Sequence, residues 1–149
     1  MCIYTAIGKS KNGQNKLRFY RLFKRFYGAE HYCTETMSQS HRAAFAKFRC
    51  GVAPLKIETG RYMNIPVEAR VCPFCTNIIE DEKHAILHCP AYADLRRELF
   101  NKANSHCNHF THLNDDDKIC VLFSTKSLAR SVAKTCFYII RTRNSLLYK

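Results

Sequence analysis

The sequence contains no apolar run long enough to cross a membrane. Its longest uninterrupted apolar stretches, residues 119–123 and 136–140, are far short of the roughly 20 residues that a bilayer-spanning helix needs. Residues 1–8 also lack the charged segment and the apolar core of a secretory signal. These absences predict a soluble, intracellular protein that has no membrane partner.

Features of a disulfide-stabilised protein are also lacking, although cysteine itself is abundant. The nine cysteines are an odd number, and several of them fall on the apolar faces of predicted helices. Disulfide frameworks belong to oxidising compartments, so this usage favours a reducing compartment, either the nucleus or the cytoplasm. We expect most of the cysteines to act as small hydrophobic side chains.

Acidic residues are scarce relative to basic ones. Asp and Glu number 12 against 24 Lys and Arg, which gives a formal net charge of +12. The surplus is mostly N-terminal, because residues 1–71 hold 13 basic and 4 acidic residues whereas residues 72–149 hold 11 and 8. This balance favours a polyanionic partner, and nucleic acid is the first candidate.

The length of 149 residues and a hydrophobic content of 46% are typical of one globular domain with its own core. Residues 1–15 are predicted to be a flexible basic leader, since GKSKNGQN at 8–15 is polar and without periodicity. Residues 16–149 are then predicted to form a single, mainly α-helical domain.

Apolar periodicity places the helices of this domain. Helices are expected at residues 16–27, 40–50, 91–104, from 115 onward and at 126–147. A further short helix should begin at Glu80, Asp81 and Glu82, whose charges suit the positive end of a helix dipole. Residues 54–70 contain Gly60 and Pro66, so they are predicted to be an extended or turn-rich connector with a possible short strand.

Two sets of basic residues are candidates for contacts with nucleic-acid phosphates. Both follow one face of a predicted helix, and an ordinary solvated face is the alternative for the second set. The first helix also carries six apolar or aromatic residues on its other arc, so core packing or a membrane surface could use it instead. The first set is Arg18, Arg21, Lys24 and Arg25, and the second is Lys126, Arg130, Lys134 and Arg141.

A third pattern has the spacing of a metal site, C-x2-C-x8-H-x4-C, formed by Cys72, Cys75, His84 and Cys89. A Cys-x-x-Cys turn lets two thiolates bind one ion, and the two later ligands complete a tetrahedron. Four protein ligands leave no open position for substrate, so we predict one structural zinc on a CCHC zinc knuckle at residues 72–90.

The fourth ligand has a competitor in His88, which lies one helical turn after His84. Pro90 disfavours helical backbone at the residue before it, which frees Cys89 to turn toward the ion. Cys89 is therefore preferred over His88.

Several motifs together resemble a known family. They are the helix end FRCG, the connector L-x-I-E-x-G-R-Y, Arg70 before C-P-x-C, E-D-x-x-H-x-x-x-x-C-P, and the following Tyr92 and Arg96. From about residue 16 to the end, the chain resembles the zinc-binding region downstream of the reverse transcriptase in LINE-type (non-LTR) retrotransposon proteins and their derived fragments.

The resemblance implies a small helical unit around the knuckle and an accessory role in nucleic-acid handling during reverse transcription. The chain has no Tyr-x-Asp-Asp polymerase motif and no room for a polymerase or an endonuclease. We therefore predict a non-catalytic nucleic-acid-binding module that has no small-molecule substrate. The alternative is a structural or protein-interaction remnant that keeps the zinc fold without nucleic-acid binding.

Overall fold

The computed structural model describes residues 16–148, and the predicted leader at 1–15 lies outside the described residues. The described part is mainly α-helical, as predicted. Five α-helices form it: α1 Gln39–Arg49, α2 Lys56–Tyr62, α3 Ala93–His106, α4 Asp115–Ser124 and α5 Ala129–Leu147. A π-helical turn, His84–His88, precedes α3, and short 3-10 turns link several elements. Pairing of extended backbone is limited, within these residues, to one antiparallel bridge between Val71 and Ile79.

Helix α1 begins and ends within one residue of the predicted span, 40–50. The Ser38 side chain accepts a hydrogen bond from the His41 N–H at 3.2 Å, which caps the first turn. At the other end Gly51 has a φ of 69°, and its N–H donates to the Phe48 carbonyl while the N–H of Val52 donates to that of Lys47. This left-handed turn satisfies the last carbonyls of the helix, so Gly51 ends α1.

The two C-terminal helices also confirm the prediction. Asn114 caps α4, because its side-chain oxygen accepts the N–H of Asp117 at 2.9 Å. Helix α5 packs against α1, α3 and α4 and is the centre of the fold. Four of the apolar residues at helical spacing in the predicted 126–147 helix are buried, Leu128 just before α5 and Val132, Cys136 and Ile139 within it, whereas the fifth, Ile140, is only partly buried.

The predicted helix at 16–27 is wrong. The segment forms two 3-10 turns, Lys16–Arg18 and Tyr20–Leu22, and no helix continues to residue 27. Phe19 and Phe23 both contact the ring of Phe123 in α4, at centroid distances of 5.1 and 5.2 Å. Tertiary packing of these rings thus decides the backbone, against the helical periodicity of the sequence.

The prediction for residues 54–70 is also wrong in part, because residues 56–62 form α2. Gly60 lies inside this helix, where a Cβ would approach the Cγ of Arg70 to 2.8 Å. Arg70 is buried and donates to the carbonyls of Ile65 and Ile57 at 2.8 and 2.9 Å. The glycine is therefore required by a close contact with an arginine, and the helix tolerates it.

Within residues 16–148, no helix combines the length and the apolar character that crossing a bilayer requires.

Candidate metal centre

Cys72 and Cys75 lie on a loop that folds back on itself. The bridge between Val71 and Ile79 holds the two ends of this loop together, and the Cys72 N–H donates to the Ile78 carbonyl at 2.7 Å. Asn77 takes a left-handed conformation with a φ of 55°, which turns the chain. The loop thus presents two thiols from one short stretch of chain.

His84 and Cys89 come from the two ends of the π-helical turn. The Asp81 carboxylate accepts the His84 N–H at 2.8 Å, and the Cys89 N–H donates to the His84 carbonyl, also at 2.8 Å. An α-helix would place residues five apart on different faces, whereas this five-residue hydrogen bond places them on the same side. Cys89 then leaves the helical conformation, with a ψ of 121°, directly before Pro90. The exit at Cys89 is predictable from the proline, but no sequence signal indicates the π-helical turn.

These elements bring together the four residues that the spacing predicts. One ligand atom from each of Cys72, Cys75, His84 and Cys89 lies within 4.8 Å of the other three. The Cys89 Sγ is 3.9 Å from the Cys72 Sγ and 3.8 Å from the Cys75 Sγ. Two sulfurs bound tetrahedrally at about 2.3 Å from one ion are separated by about 3.8 Å. This Cys/His cluster could therefore hold a metal ion.

His88, the competing fourth ligand, lies outside the cluster. Its side chain is half exposed, and its Nε2 pairs with the Asp115 carboxylate at 2.7 Å. Cys89 is fully buried among the other thiols. His88 instead connects the π-helical turn to the first turn of α4, as does Lys83, which pairs with Asp116.

The electrostatics of the cluster favour neutral groups as long as no cation is present. Burial raises the pKa of the Cys89 thiol to about 12, and it also raises the pKa of Cys72. Burial lowers the pKa of His84, which keeps its ring neutral at physiological pH. A divalent cation reverses the preference of the thiols, because it stabilises thiolates directly.

His84 also carries an unpaired buried atom. Among residues 16–148, no hydrogen-bond partner faces its buried Nε2. A buried polar atom without a partner is costly, and a metal ion is one group that satisfies a neutral imidazole nitrogen.

Further groups around the cluster suit thiolates. Burial raises the pKa of both Cys72 and Cys89, and hydrogen bonds from the backbone N–H groups of Phe74 and Ala91, respectively, offset part of that rise. Arg96 in α3 is buried, and within the described part of the chain its Nη1 has no hydrogen-bond partner. Burial holds the pKa of Arg96 below its ordinary value, and negative charge on Cys89 and Cys75 offsets part of this decrease. In the sequence, Arg96 stands out only as part of the family resemblance.

The first set of predicted phosphate-contacting residues is largely engaged in the fold. Arg18 forms two hydrogen bonds, at 2.9 and 2.7 Å, with the carboxylate of Glu82, which is almost fully buried. Lys24 pairs with Glu30. Arg21 is half-buried, whereas Arg25 is exposed.

The second set lies on a more open surface. Lys126 and Arg130 are 3.7 and 3.8 Å from the Glu35 carboxylate, and their side chains remain 69% and 61% exposed. Lys134 is half exposed and lies 3.3 Å from Glu98. Arg141 is exposed. Loose, exposed ion pairs contribute little to stability, so these cations can exchange a carboxylate for another anion at small cost.

The short helix predicted near Glu80, Asp81 and Glu82 begins at Glu82. The sequence did not predict that Glu80 and Glu82 are both buried and that they pair with Arg143 and Arg18, respectively. The third acidic residue, Asp81, accepts the His84 N–H and so caps the first turn of this helix.

Comparisons of the chain with protein-family models, with curated proteins and with solved structures give no match.

Proposed function

We propose that this chain is a non-catalytic zinc-binding module that binds nucleic acid as an accessory to another activity. The observation that carries the proposal is the closeness of the four ligand atoms of the Cys/His cluster, all within 4.8 Å. Three thiolates and one imidazole are a preferred set for structural zinc, and they leave no coordination position for a substrate. Zinc held by these residues joins the loop at 72–79 to the two ends of the π-helical turn, so its binding contributes to folding.

Nucleic acid as the partner is supported by charge. The formal net charge of +12 attracts polyanions of any kind. Four exposed cations could contact phosphates: Lys126 in the 3-10 turn before α5, and Arg130, Lys134 and Arg141 within α5. The resemblance to the region downstream of LINE-type reverse transcriptases agrees with this partner. A nuclear or cytoplasmic, reducing location is part of the same proposal, since thiols must remain reduced to bind the metal.

A second candidate function is that of a structural or protein-interaction remnant. The observation that favours it is the pairing of Arg18 with buried Glu82 and of Lys24 with Glu30, which commits two of the predicted phosphate contacts to the fold. A remnant of this kind would keep its zinc and its stability without affinity for nucleic acid.

Binding measurements with the zinc-loaded protein separate the two functions. Structured RNA, single-stranded DNA and duplex DNA are titrated at several salt concentrations, beginning at low salt. A nucleic-acid-binding module binds at least one of the three, and its affinity falls linearly with salt on a double-logarithmic plot. Absence of binding to all three at low salt would contradict the proposal and leave the remnant as the better explanation.

A further inference from the structure

Two adjacent aromatic side chains project from the N-terminal segment into solvent. Phe26 is 81% exposed and Tyr27 is 96% exposed, although Phe19 and Phe23 in the same segment are buried. Each aromatic ring can remove roughly 150–250 Å2 from water when a partner covers it. Exposure of both rings side by side leaves a large apolar surface available for a contact.

The loop that carries these rings is fixed at both ends. On its N-terminal side, the Phe23 ring stacks on Phe123 with an interplanar angle of 17°. On its C-terminal side, the Lys24 Nζ donates to the Gly28 carbonyl at 3.1 Å and pairs with Glu30. The stretch between these anchors, residues 25–27, is exposed throughout, and we call it the aromatic tip. A tip with fixed ends loses less conformational entropy on binding than a free segment does.

The charge around the aromatic tip is positive. Arg25 is exposed and, within residues 16–148, has no carboxylate partner. The nearby carboxylate of Glu30 is already neutralised by Lys24 and by Arg49. Although burial raises the pKa of Glu30, the hydrogen bond from Lys24 and the charge of Arg49 lower it, so this group stays ionised and paired. The tip therefore carries the exposed Arg25 cation next in sequence to two exposed aromatic rings.

This combination selects among polyanions. Aromatic side chains stack on bases only where those bases are unpaired, since a duplex covers the base faces by its own stacking. A guanidinium next to the rings supplies the contact with the backbone phosphate. We propose that the aromatic tip binds single-stranded nucleic acid, with Phe26 and Tyr27 stacking on bases and Arg25 contacting a phosphate. The proposal rests on the function proposed above and names the form of nucleic acid that this loop recognises.

The experiment compares affinities of the zinc-loaded protein for a single-stranded oligonucleotide and for a duplex of the same sequence. The variant Phe26→Ala/Tyr27→Ala removes both rings, and Tyr148→Ala is the matched control because Tyr148 is another exposed aromatic residue, at 79%. We expect the double variant to bind the single strand at least about 5-fold more weakly, with duplex affinity and thermal stability unchanged. The control should bind both forms like the wild type.

A second measurement reports on the tip directly. The sequence contains no tryptophan, so Tyr27→Trp places a single indole at the tip. Its fluorescence should be quenched by the single strand and not by the duplex, because only unpaired bases can stack on it. Two further measurements test other binding partners of the tip. Anionic lipid vesicles are added to the Tyr27→Trp protein, and self-association is measured by sedimentation.

The outcomes separate this inference from the function on which it rests. If the wild type binds nucleic acid but the double variant binds the single strand equally well, the aromatic tip is not the stacking site and the proposed function stands. If the wild type binds neither form but binds structured RNA, the inference fails and the proposed function stands; if it binds none of the three at low salt, both fail. Quenching of the indole by vesicles alone, or by self-association alone, would also overturn the inference.

Discussion

The carboxylate of Glu80 and the guanidinium of Arg143 form a buried, two-pronged ion pair. The Arg143 Nε lies 2.7 Å from one oxygen of Glu80 and its Nη2 lies 2.9 Å from the other. The second oxygen also accepts the Lys56 N–H at 2.7 Å, and the side chains of Glu80 and Arg143 are at most 5% exposed. Glu80, which directly follows the loop that carries Cys72 and Cys75, thus connects this loop with the start of α2 and with α5.

We expect loss of either partner to destabilise the protein strongly. Glu80→Gln leaves the Arg143 charge buried without compensation, and Arg143→Met does the same to Glu80. Each single variant should lower the free energy of unfolding by about 3–5 kcal/mol. Denaturant unfolding of the zinc-loaded proteins measures this. The double variant is the control, because it should lose clearly less than the sum of the two single losses; additive losses would show that the two groups do not interact.

Gly60→Ala tests the contact between Gly60 and Arg70. Alanine is the better helix former, but its Cβ would lie 2.8 Å from the Arg70 Cγ, in a side chain held by two hydrogen bonds. The substitution should therefore cost about 1–3 kcal/mol. In an Arg70→Ala background the same change should be neutral or stabilising, since the obstacle is gone. A cost of equal size in both backgrounds would mean that the contact is not the cause.

Substitution of Arg18 should lower stability, whereas substitution of Lys126 and Arg130 should weaken nucleic-acid binding and leave stability almost unchanged. Arg18→Gln removes the positive charge that pairs with buried Glu82, so thermal stability should fall.

Lys126→Glu/Arg130→Glu should leave stability almost unchanged. It should reduce the slope of nucleic-acid affinity against salt by about 0.7–0.9 for each phosphate that the variant no longer neutralises. An unchanged slope in a stable double variant would remove Lys126 and Arg130 from the binding surface.

Glu30 predicts a specific pH dependence of stability. Burial alone would raise its pKa, but the Lys24 hydrogen bond and the Arg49 charge outweigh burial and hold the pKa below its ordinary value of 4.5. A carboxyl with a lowered pKa adds stability above its unfolded pKa and loses that contribution as the pH falls through its folded pKa. Glu30→Gln should thus be less stable than the wild type at pH 7, with a difference that shrinks once the pH falls below the ordinary pKa of a glutamate, about 4.5.

The comparison is made between the two proteins at each pH, by denaturant unfolding. Acid also protonates the ligands of the Cys/His cluster, but it does so equally in both proteins. A stability difference that stays constant from neutral pH to well below the ordinary glutamate pKa would contradict the role of the Glu30 carboxylate.

Local chemistry made part of the fold predictable. Helix α1 has a serine before it and Gly51 after it, and α4 has Asn114 before it, so their ends follow from capping alone. The ligand spacing of the Cys/His cluster is also a local pattern, carried by two turns and one proline. In each case the residues that decide the structure are neighbours in sequence.

Long-range contacts decided the rest. Arg18 and Glu82 are 64 positions apart, and Arg143 and Glu80 are 63 apart, so nothing near either glutamate signalled that it would be buried. The predicted helix at 16–27 failed for the same reason, because Phe19 and Phe23 pack on Phe123, 100 or more positions away, as well as on each other. The periodicity of the segment fitted a helix that the tertiary structure does not use.

X-ray absorption at the zinc edge, on purified protein of known zinc content, tests the metal centre most directly. We predict one zinc per chain with three sulfur ligands at about 2.3 Å and one nitrogen ligand at about 2.0–2.1 Å. His88→Ala should leave this spectrum unchanged, whereas Cys89→Ser should lower the sulfur count or abolish binding, with a lower melting temperature in the latter case. A wild-type protein without stoichiometric zinc, or with zinc bound mainly by oxygen and nitrogen, would contradict the central claim.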